Sequence, residues 1–340
     1  MRPYVRFAAG FLLDRAYCLP VCNLVITRRC NAGCVSCEYW RGKSVDELSL
    51  EQYRGIIAQL RRLRTCTVVL TGGEPLLRPD VFEIGRLSRE GGFDTYLITN
   101  GILLPGCANE VAQVFDQVWI SLDSHRAELH DRLRGVPCFE KVVAGIRLLK
   151  GAPRPPRIEI RSLIHRENFR EVGEIADFVK GLGVDRISFL PVDVQSRAFG
   201  RDRTPAERGN LLLSADEVEE FADRVEQLMA SHGDDLRAGL IRGGERELRW
   251  LVTHYRRYCG REGKPRFVNC LAPFISTVID ADGTVCPCYF LPPVGSILRE
   301  PLDVILNNRA YGTVRRRFKR GALAECKLCV CPMRLRIALG

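Results

Sequence analysis

No apolar run in these 340 residues reaches the length of a membrane span, which needs about 20 such residues in a helix. There is no secretory signal either. The apolar segment Tyr4 to Leu13 is interrupted by Arg6, followed by Asp14-Arg15, and lacks a small-residue cleavage site. No repeat of solenoid period and no low-complexity segment occurs, which excludes arrays and compositionally biased tails. No nucleic-acid-binding motif stands behind the net charge of +10, so nucleic acid is not an expected partner. The densest basic run, Arg315-Arg316-Arg317-Phe318-Lys319-Arg320, reads as a solvated helix face. It would alternatively attract an acidic or phosphorylated substrate, or an acidic electron donor of the flavodoxin or ferredoxin type.

Cysteine, by contrast, is abundant: there are 15. Without a secretion signal, that number points to metal or redox chemistry in a reducing, cytoplasmic compartment and not to a disulfide framework. Three of them, Cys30, Cys34 and Cys37, form a C-x3-C-x2-C run directly after the apolar stretch Leu24-Val25-Ile26-Thr27. A tetrahedral zinc site or a fully ligated cubane takes four protein donors, and this loop supplies three. A [4Fe–4S] cluster on three thiolates keeps one iron open. The alternative is a zinc knuckle or scattered thiols.

Strand-like runs alternate with helical patterns from about Val21 to Val192. After the first strand, Thr67 to Leu70, Asp94 to Thr99, Gln117 to Leu122, Arg157 to Ile164 and Asp185 to Leu190 read as strands. Helices are predicted over Ser49 to Arg64 with Ser49 as N-cap, Asp80 to Glu90, Asn109 to Phe115, Phe139 to Leu149 and Phe169 to Gly181. Six strands with right-handed crossovers suit a parallel, partly closed α/β barrel. Tyr4 to Leu13 then reads as a helix on its closed end, or as a membrane-surface helix. Gln195 to Asn210 reads as a loop or active-site cover, and two amphipathic helices follow, Ser214 to Ser231 and Glu245 to Tyr258.

Thr71-Gly72-Gly73-Glu74-Pro75 closes the second strand, Ile98-Thr99-Asn100-Gly101 the third and Ser121-Leu122-Asp123 the fourth, with Arg134-Gly135 following in HDRLRG. With the cysteine loop, this series resembles the radical SAM superfamily. The resemblance implies a partial (β/α)6 barrel in which Cys30, Cys34 and Cys37 hold a [4Fe–4S] cluster. S-adenosylmethionine would bind the fourth iron through its amino and carboxylate groups. Gly72, Gly73 and Glu74 would look after the methionine amino group; Asn100, Ser121 and Asp123 would belong to the cofactor site, the last two facing the adenosyl moiety. Arg161 is a partner for the methionine carboxylate or, equally, a solvent-facing strand residue. The family often has an aromatic residue just before the third cysteine; Ser36 stands there, and Tyr39 and Trp40 are expected to cover the cofactor instead.

A second set, Cys270, Cys286, Cys288, Cys326, Cys329 and Cys331, follows the barrel. Ser276 to Ile279, the turn Asp280 to Gly283, and Thr284-Val285 read as a β-hairpin bringing Cys270 and Cys288 near each other. Asp280 and Asp282 are expected to serve its turn. Four thiolates suit zinc or iron–sulfur equally. Cys270-x12-Gly283-x4-Cys288 resembles the opening of the SPASM/twitch extension, which implies a small α+β domain with an auxiliary [4Fe–4S] cluster. With only CKLCVC before the end of the sequence, the shorter twitch form is expected. Its expected ligands are Cys270, Cys288, Cys326 and Cys329, with Cys331 as a replacement for one of the last pair and Cys286 as a spare thiol. Cys18, Cys22, Cys66, Cys107, Cys138 and Cys259 read as buried small hydrophobes. The expected organisation is an N-terminal helical segment over 1–20, the barrel over 21–213, bridging helices over 214–262 and the auxiliary domain over 263–340.

The resemblance implies reductive cleavage of S-adenosylmethionine to a 5′-deoxyadenosyl radical that abstracts hydrogen from substrate carbon. An auxiliary cluster with no open iron would accept or relay the substrate electron, so an oxidoreductase is expected. The substrate reads as a small molecule: a sugar, cyclitol or natural-product intermediate. With Cys30 so near the start, a leader-binding or cobalamin domain before the barrel is not expected. The alternatives are a peptide-modifying maturase and a non-catalytic iron–sulfur or zinc protein.

Overall fold

The computed structural model describes residues 10–42, 45–196, 198–200, 209–263 and 270–331. These fall into two compact units, one drawn from 1–30, 42–97 and 265–340, the other from 31–41 and 98–264. Six strands, β1 (Val21–Thr27), β2 (Thr67–Gly72), β3 (Asp94–Thr99), β4 (Gln117–Ser121), β5 (Arg157–Ile164) and β6 (Arg186–Pro191), alternate with helices. Three short strands follow, β7 (Ser276–Ile279), β8 (Thr284–Cys286) and β9 (Gly295–Ser296).

In the first unit β1 is central. It pairs in parallel with β2 on one edge and with β7 on the other. β2 in turn pairs in parallel with β3, and β8 and β9 extend β7 antiparallel. Cys22, Leu24, Val25 and Ile26 are all buried, as a parallel strand covered on both faces requires. The helix Leu50–Arg62 buries Tyr53, Ile56, Ile57 and Leu60 at helical spacing, and Ser49 starts it through a reciprocal capping box with Gln52. The expected hairpin is present as β7–β8, but its first strand also joins the parallel sheet, so the cysteine-rich segment is anchored on β1.

The second unit has β4, β5 and β6 in parallel. Gly244–Tyr258 packs on β6, and Ala215–Ser231, opened by a Ser214–Glu217 capping box, packs in turn on Gly244–Tyr258. Tyr255 is fully buried; its hydroxyl donates to the Ile164 carbonyl and accepts from Val192 N at 3.1 Å, tying the second helix to the exits of β5 and β6.

Several expectations need correction. The helix expected from Asn109 begins at Leu104, because Pro105 is well placed in a first turn, and Cys107 then interrupts its dihedrals. Arg315 is not solvated: it is 1% exposed and donates to the carbonyls of Pro273, Asp14 and Leu306, with Tyr311 stacked beneath it. Of the six cysteines expected inside, Cys22 and Cys138 are buried, Cys18, Cys107 and Cys259 are half-buried, and Cys66 is exposed. Cys66 lies in the turn before β2, where its N–H donates to Pro20 O and its exposed thiol to Arg64 O. Residues 1–9 of the apolar N-terminal segment, and most of the expected loop over 195–210, lie outside the described residues. Among the described residues no helix is long and apolar enough to cross a membrane.

Candidate functional site

Two glycines shape the exit of β1. The register with β2 slips between Val25 and Thr27, a bulge just before the cysteine loop. There Gly73 N donates to Thr27 O at 2.9 Å and Glu74 N to Arg29 O at 2.8 Å. A Cβ on Gly72 would lie 2.1 Å from Thr27 O, and one on Gly73 would lie 2.2 Å from Arg29 O. The glycines therefore serve a close approach to the backbone that leads into Cys30. Glu74 is fully buried, and its carboxylate accepts from Leu76 N at 3.0 Å, capping the short turn Pro75–Leu77.

Two arginines that the sequence did not single out brace this segment. Arg78, 5% exposed, donates to Ile26 O at 2.7 Å, to Leu48 O at 2.6 Å and to Asp80. Arg28 forms a bidentate pair with Asp280 at 3.1 and 2.8 Å and reaches Asp282 at 2.9 Å. These aspartates also close the hairpin turn, as expected, through Gly283 N and Thr284 N. The turn signal was local; the arginine lies some 250 residues away, and nothing in its own neighbourhood announces the pairing.

The cysteine loop crosses the division between units, with Cys30 ending a segment of the first and residues 31–41 in the second. In the second unit, Gly33 N donates to Arg134 O at 2.8 Å and Val35 N to Leu133 O at 3.0 Å. The loop thus docks on the C-terminal carbonyls of the helix Ala127–Arg134, which otherwise lack partners. Gly135 follows at φ +71°, the left-handed conformation expected of a helix-terminating glycine. Cys34 and Cys37 are half-buried, and Cys37 lies beneath Phe199 O. Trp40 caps the loop by donating to Cys37 O at 2.9 Å. Asn100 joins the loop to the exit of β3, donating to the Asn31 side chain at 2.8 Å.

HDRLRG acquires a reason residue by residue. His130 accepts the Asp123 N–H at its Nδ1. The Asp131 carboxylate accepts from Cys138 N and Phe139 N, capping Phe139–Lys150. Arg134 pairs with the Asp123 carboxylate at 2.7 Å and places Nη1 3.7 Å from Cys34 Sγ. Burial opposes the charge on Arg134, yet Asp123 and the Cys34 thiol outweigh it and hold the guanidinium above its ordinary value. Asp123 also accepts from Leu163 N at 2.8 Å. Its carboxylate is thus engaged with Arg134 and the β5 backbone. Ser121 is half-buried at the end of β4, opposite Arg161 on β5. Arg161 is half-buried and stacks on the Trp119 ring at 3.9 Å.

The second cysteine set lies wholly in the first unit. Burial raises the thiol pKa of Cys288, Cys326 and Cys329, Cys326 to about 12. Cys270 and Cys331 lie close enough to raise all three further, and Cys288 and Cys329 also interact. Five half-buried thiols therefore lie within electrostatic range of one another. Cys286 is different: burial and then Asp280 and Asp282 raise it to about 12, and no other cysteine contributes. Metal ligation favours the thiolate over the thiol, so a cluster of cysteines suits a metal centre such as an iron–sulfur cluster. Among the described residues no three His, Cys, Asp or Glu side chains converge as a mononuclear metal shell does; a cubane is gripped at separate corners.

Comparison with known proteins gives two family matches, the radical SAM superfamily over residues 24–179 and SPASM, an iron–sulfur cluster-binding domain, over residues 270–330. The chain is 35% identical over 291 residues to the AdoMet-dependent heme synthase of Methanosarcina barkeri (strain Fusaro / DSM 804), covering 83% of this chain and 80% of that protein. It is 32% identical over 174 residues to the mycofactocin maturase MftC of Mycobacterium tuberculosis (strain ATCC 25618 / H37Rv), covering 50% of this chain and 44% of that one. Several other relatives are likewise matched over about half of their length. Streptococcus suis SuiB, solved bound to S-adenosylmethionine, shares the fold with a TM-score of 0.68 at 15% identity, covering 96% of this chain and 76% of that one.

Proposed function

As this chain belongs to the radical SAM superfamily and carries a SPASM/twitch iron–sulfur domain, we propose that it oxidises a small-molecule substrate, a tetrapyrrole in the manner of its heme synthase relative. S-adenosylmethionine and [4Fe–4S] clusters are its cofactors; together they supply a 5′-deoxyadenosyl radical that takes hydrogen from unactivated carbon and a second centre that takes up the remaining electron. On this reading Cys30, Cys34 and Cys37 hold the first cluster and leave one iron to the cosubstrate. Gly72, Gly73 and Glu74 shape the wall at the methionine end, while Asn100, Ser121, Asp123 and Arg161 line the exits of β3 to β5. Cys270, Cys288, Cys326 and Cys329 hold the auxiliary cluster, with Cys331 beside them. The first electron comes from a small flavodoxin- or ferredoxin-type donor.

The observation that carries the substrate class is the 35% identity maintained over 83% of the chain with a heme synthase. MftC, matched over 50% of the chain, favours a second reading, a peptide maturase. The two separate in one experiment. The anaerobically reconstituted chain is titrated with an iron porphyrin bearing carboxylate side chains, following its Soret band and 5′-deoxyadenosine release. The expected result is a saturable Soret shift with porphyrin-dependent cleavage. A porphyrin that neither binds nor stimulates cleavage overturns the tetrapyrrole reading and leaves the peptide one.

A further inference from the structure

The Ala127–Arg134 helix does more than carry the cysteine loop on its terminal carbonyls. Its last residue turns a guanidinium back to the loop, with Nη1 3.7 Å from Cys34 Sγ and Nη2 2.7 Å from Asp123 Oδ2. The Arg134 side chain is 11% exposed and that of Asp123 is 7% exposed. Asp123 is itself held by Leu163 N, so the cation has a fixed anchor on the β5 backbone. Arg134 retains one more donor: Nε is buried and has no acceptor among the described residues. A planar fork with one arm on a carboxylate, one at a thiol and a third donor buried unused suits recognition of a further acceptor nearby. Cluster sulfur is an acceptor of that kind.

We propose that Arg134 tunes the reduction potential of the cluster held by Cys30, Cys34 and Cys37, donating to the Cys34 sulfur while Asp123 positions it. The inference rests on the assignment of that cluster to those three cysteines. Reduction adds one negative charge to the cluster, and hydrogen bonds to its sulfurs stabilise the more negative state, so the potential rises. Asp123 balances the formal charge, which leaves the directed N–H as the acting element. Arg134 touches no substrate; it makes the first electron transfer easier by acting on a ligand. A purely structural role, holding the loop on the helix, would leave the potential unmoved.

The test is an EPR-monitored redox titration of the anaerobically reconstituted full chain. It follows the cluster whose signal changes when S-adenosylmethionine is added. The paired variant Arg134→Met/Asp123→Asn removes the N–H donor and the counterion together and leaves no lone buried charge. At matched potential its ratio of reduced to oxidised cluster is expected to be about tenfold lower, equivalent to a fall of about 59 mV for one electron. An unchanged potential with the signal intact overturns the inference. If the unsubstituted chain gives no S-adenosylmethionine-responsive signal at all, the cluster assignment itself fails, which is a different result. A second measurement needs no loaded double variant. In unsubstituted protein carrying guanidino-15N arginine, pulsed EPR of the reduced cluster is expected to show a nitrogen coupling that Arg134→Lys removes. Absence of that coupling overturns the proposal.

Discussion

His130 is fully buried, and its Nδ1 accepts a backbone N–H, so the ring is neutral with its proton on Nε2. Burial, and then the Arg134 charge, depress its pKa from 6.5 to about 4. In the unfolded chain it titrates near 6.5, so between pH 6.5 and 4 the unfolded state binds the extra proton. Stability contributed by the neutral ring is complete above pH 6.5 and is lost as pH falls toward 4, on the order of 3 kcal/mol in all. His130→Gln keeps an acceptor but no titrating ring. It is expected to be less stable than the parent at pH 7.5, with the gap closing as pH is lowered to 4.5 in chemical unfolding experiments. A gap that stays constant or widens would contradict this account. Such residues show where sequence reading stops. The composition of HDRLRG marked a recurring stretch, but the tautomer of His130, the capping role of Asp131 and the Asp123–Arg134 pair depend on partners on other elements. Arg315 misled for the same reason: a run of arginines looks solvated until the carbonyls around one of them are known.

At the scale of elements, the legible features were those with local causes. Ser49 and Ser214 start their helices through capping boxes that complete themselves within four residues. The β7–β8 hairpin has its turn chemistry in Asp280 to Gly283. What could not be read was the parallel pairing of β7 with β1, which spans some 250 residues with no local signal. Gly72 and Gly73 were expected at the methionine amino group, and the structure adds a use within the chain itself, a close approach to the carbonyls of Thr27 and Arg29. Gly73→Ala would drive a methyl into Arg29 O and displace the Glu74 N–H bond. A loss of roughly 1–3 kcal/mol is expected in thermal unfolding, with lower iron retention. Gly106→Ala, where nothing lies within 4 Å of the added carbon, is the control expected to show neither effect. Equal behaviour of the two variants would remove the packing role assigned to the GGE turn.

For the molecule as a whole, the two cysteine sets divide the chemistry. The first sits on a loop at the exits of parallel strands, where α/β folds collect ligands, and its side chains are half-buried. The second lies within the first unit, where burial raises the thiol pKa of Cys288, Cys326 and Cys329. The central claim, that three N-terminal thiolates leave an iron open to S-adenosylmethionine, is tested most directly by 5′-deoxyadenosine formation under anaerobic reducing conditions. The unsubstituted chain is expected to release 5′-deoxyadenosine, and the Cys30→Ala/Cys34→Ala/Cys37→Ala variant, with its auxiliary iron intact, to release none. Cleavage that persists in the triple variant would contradict the account.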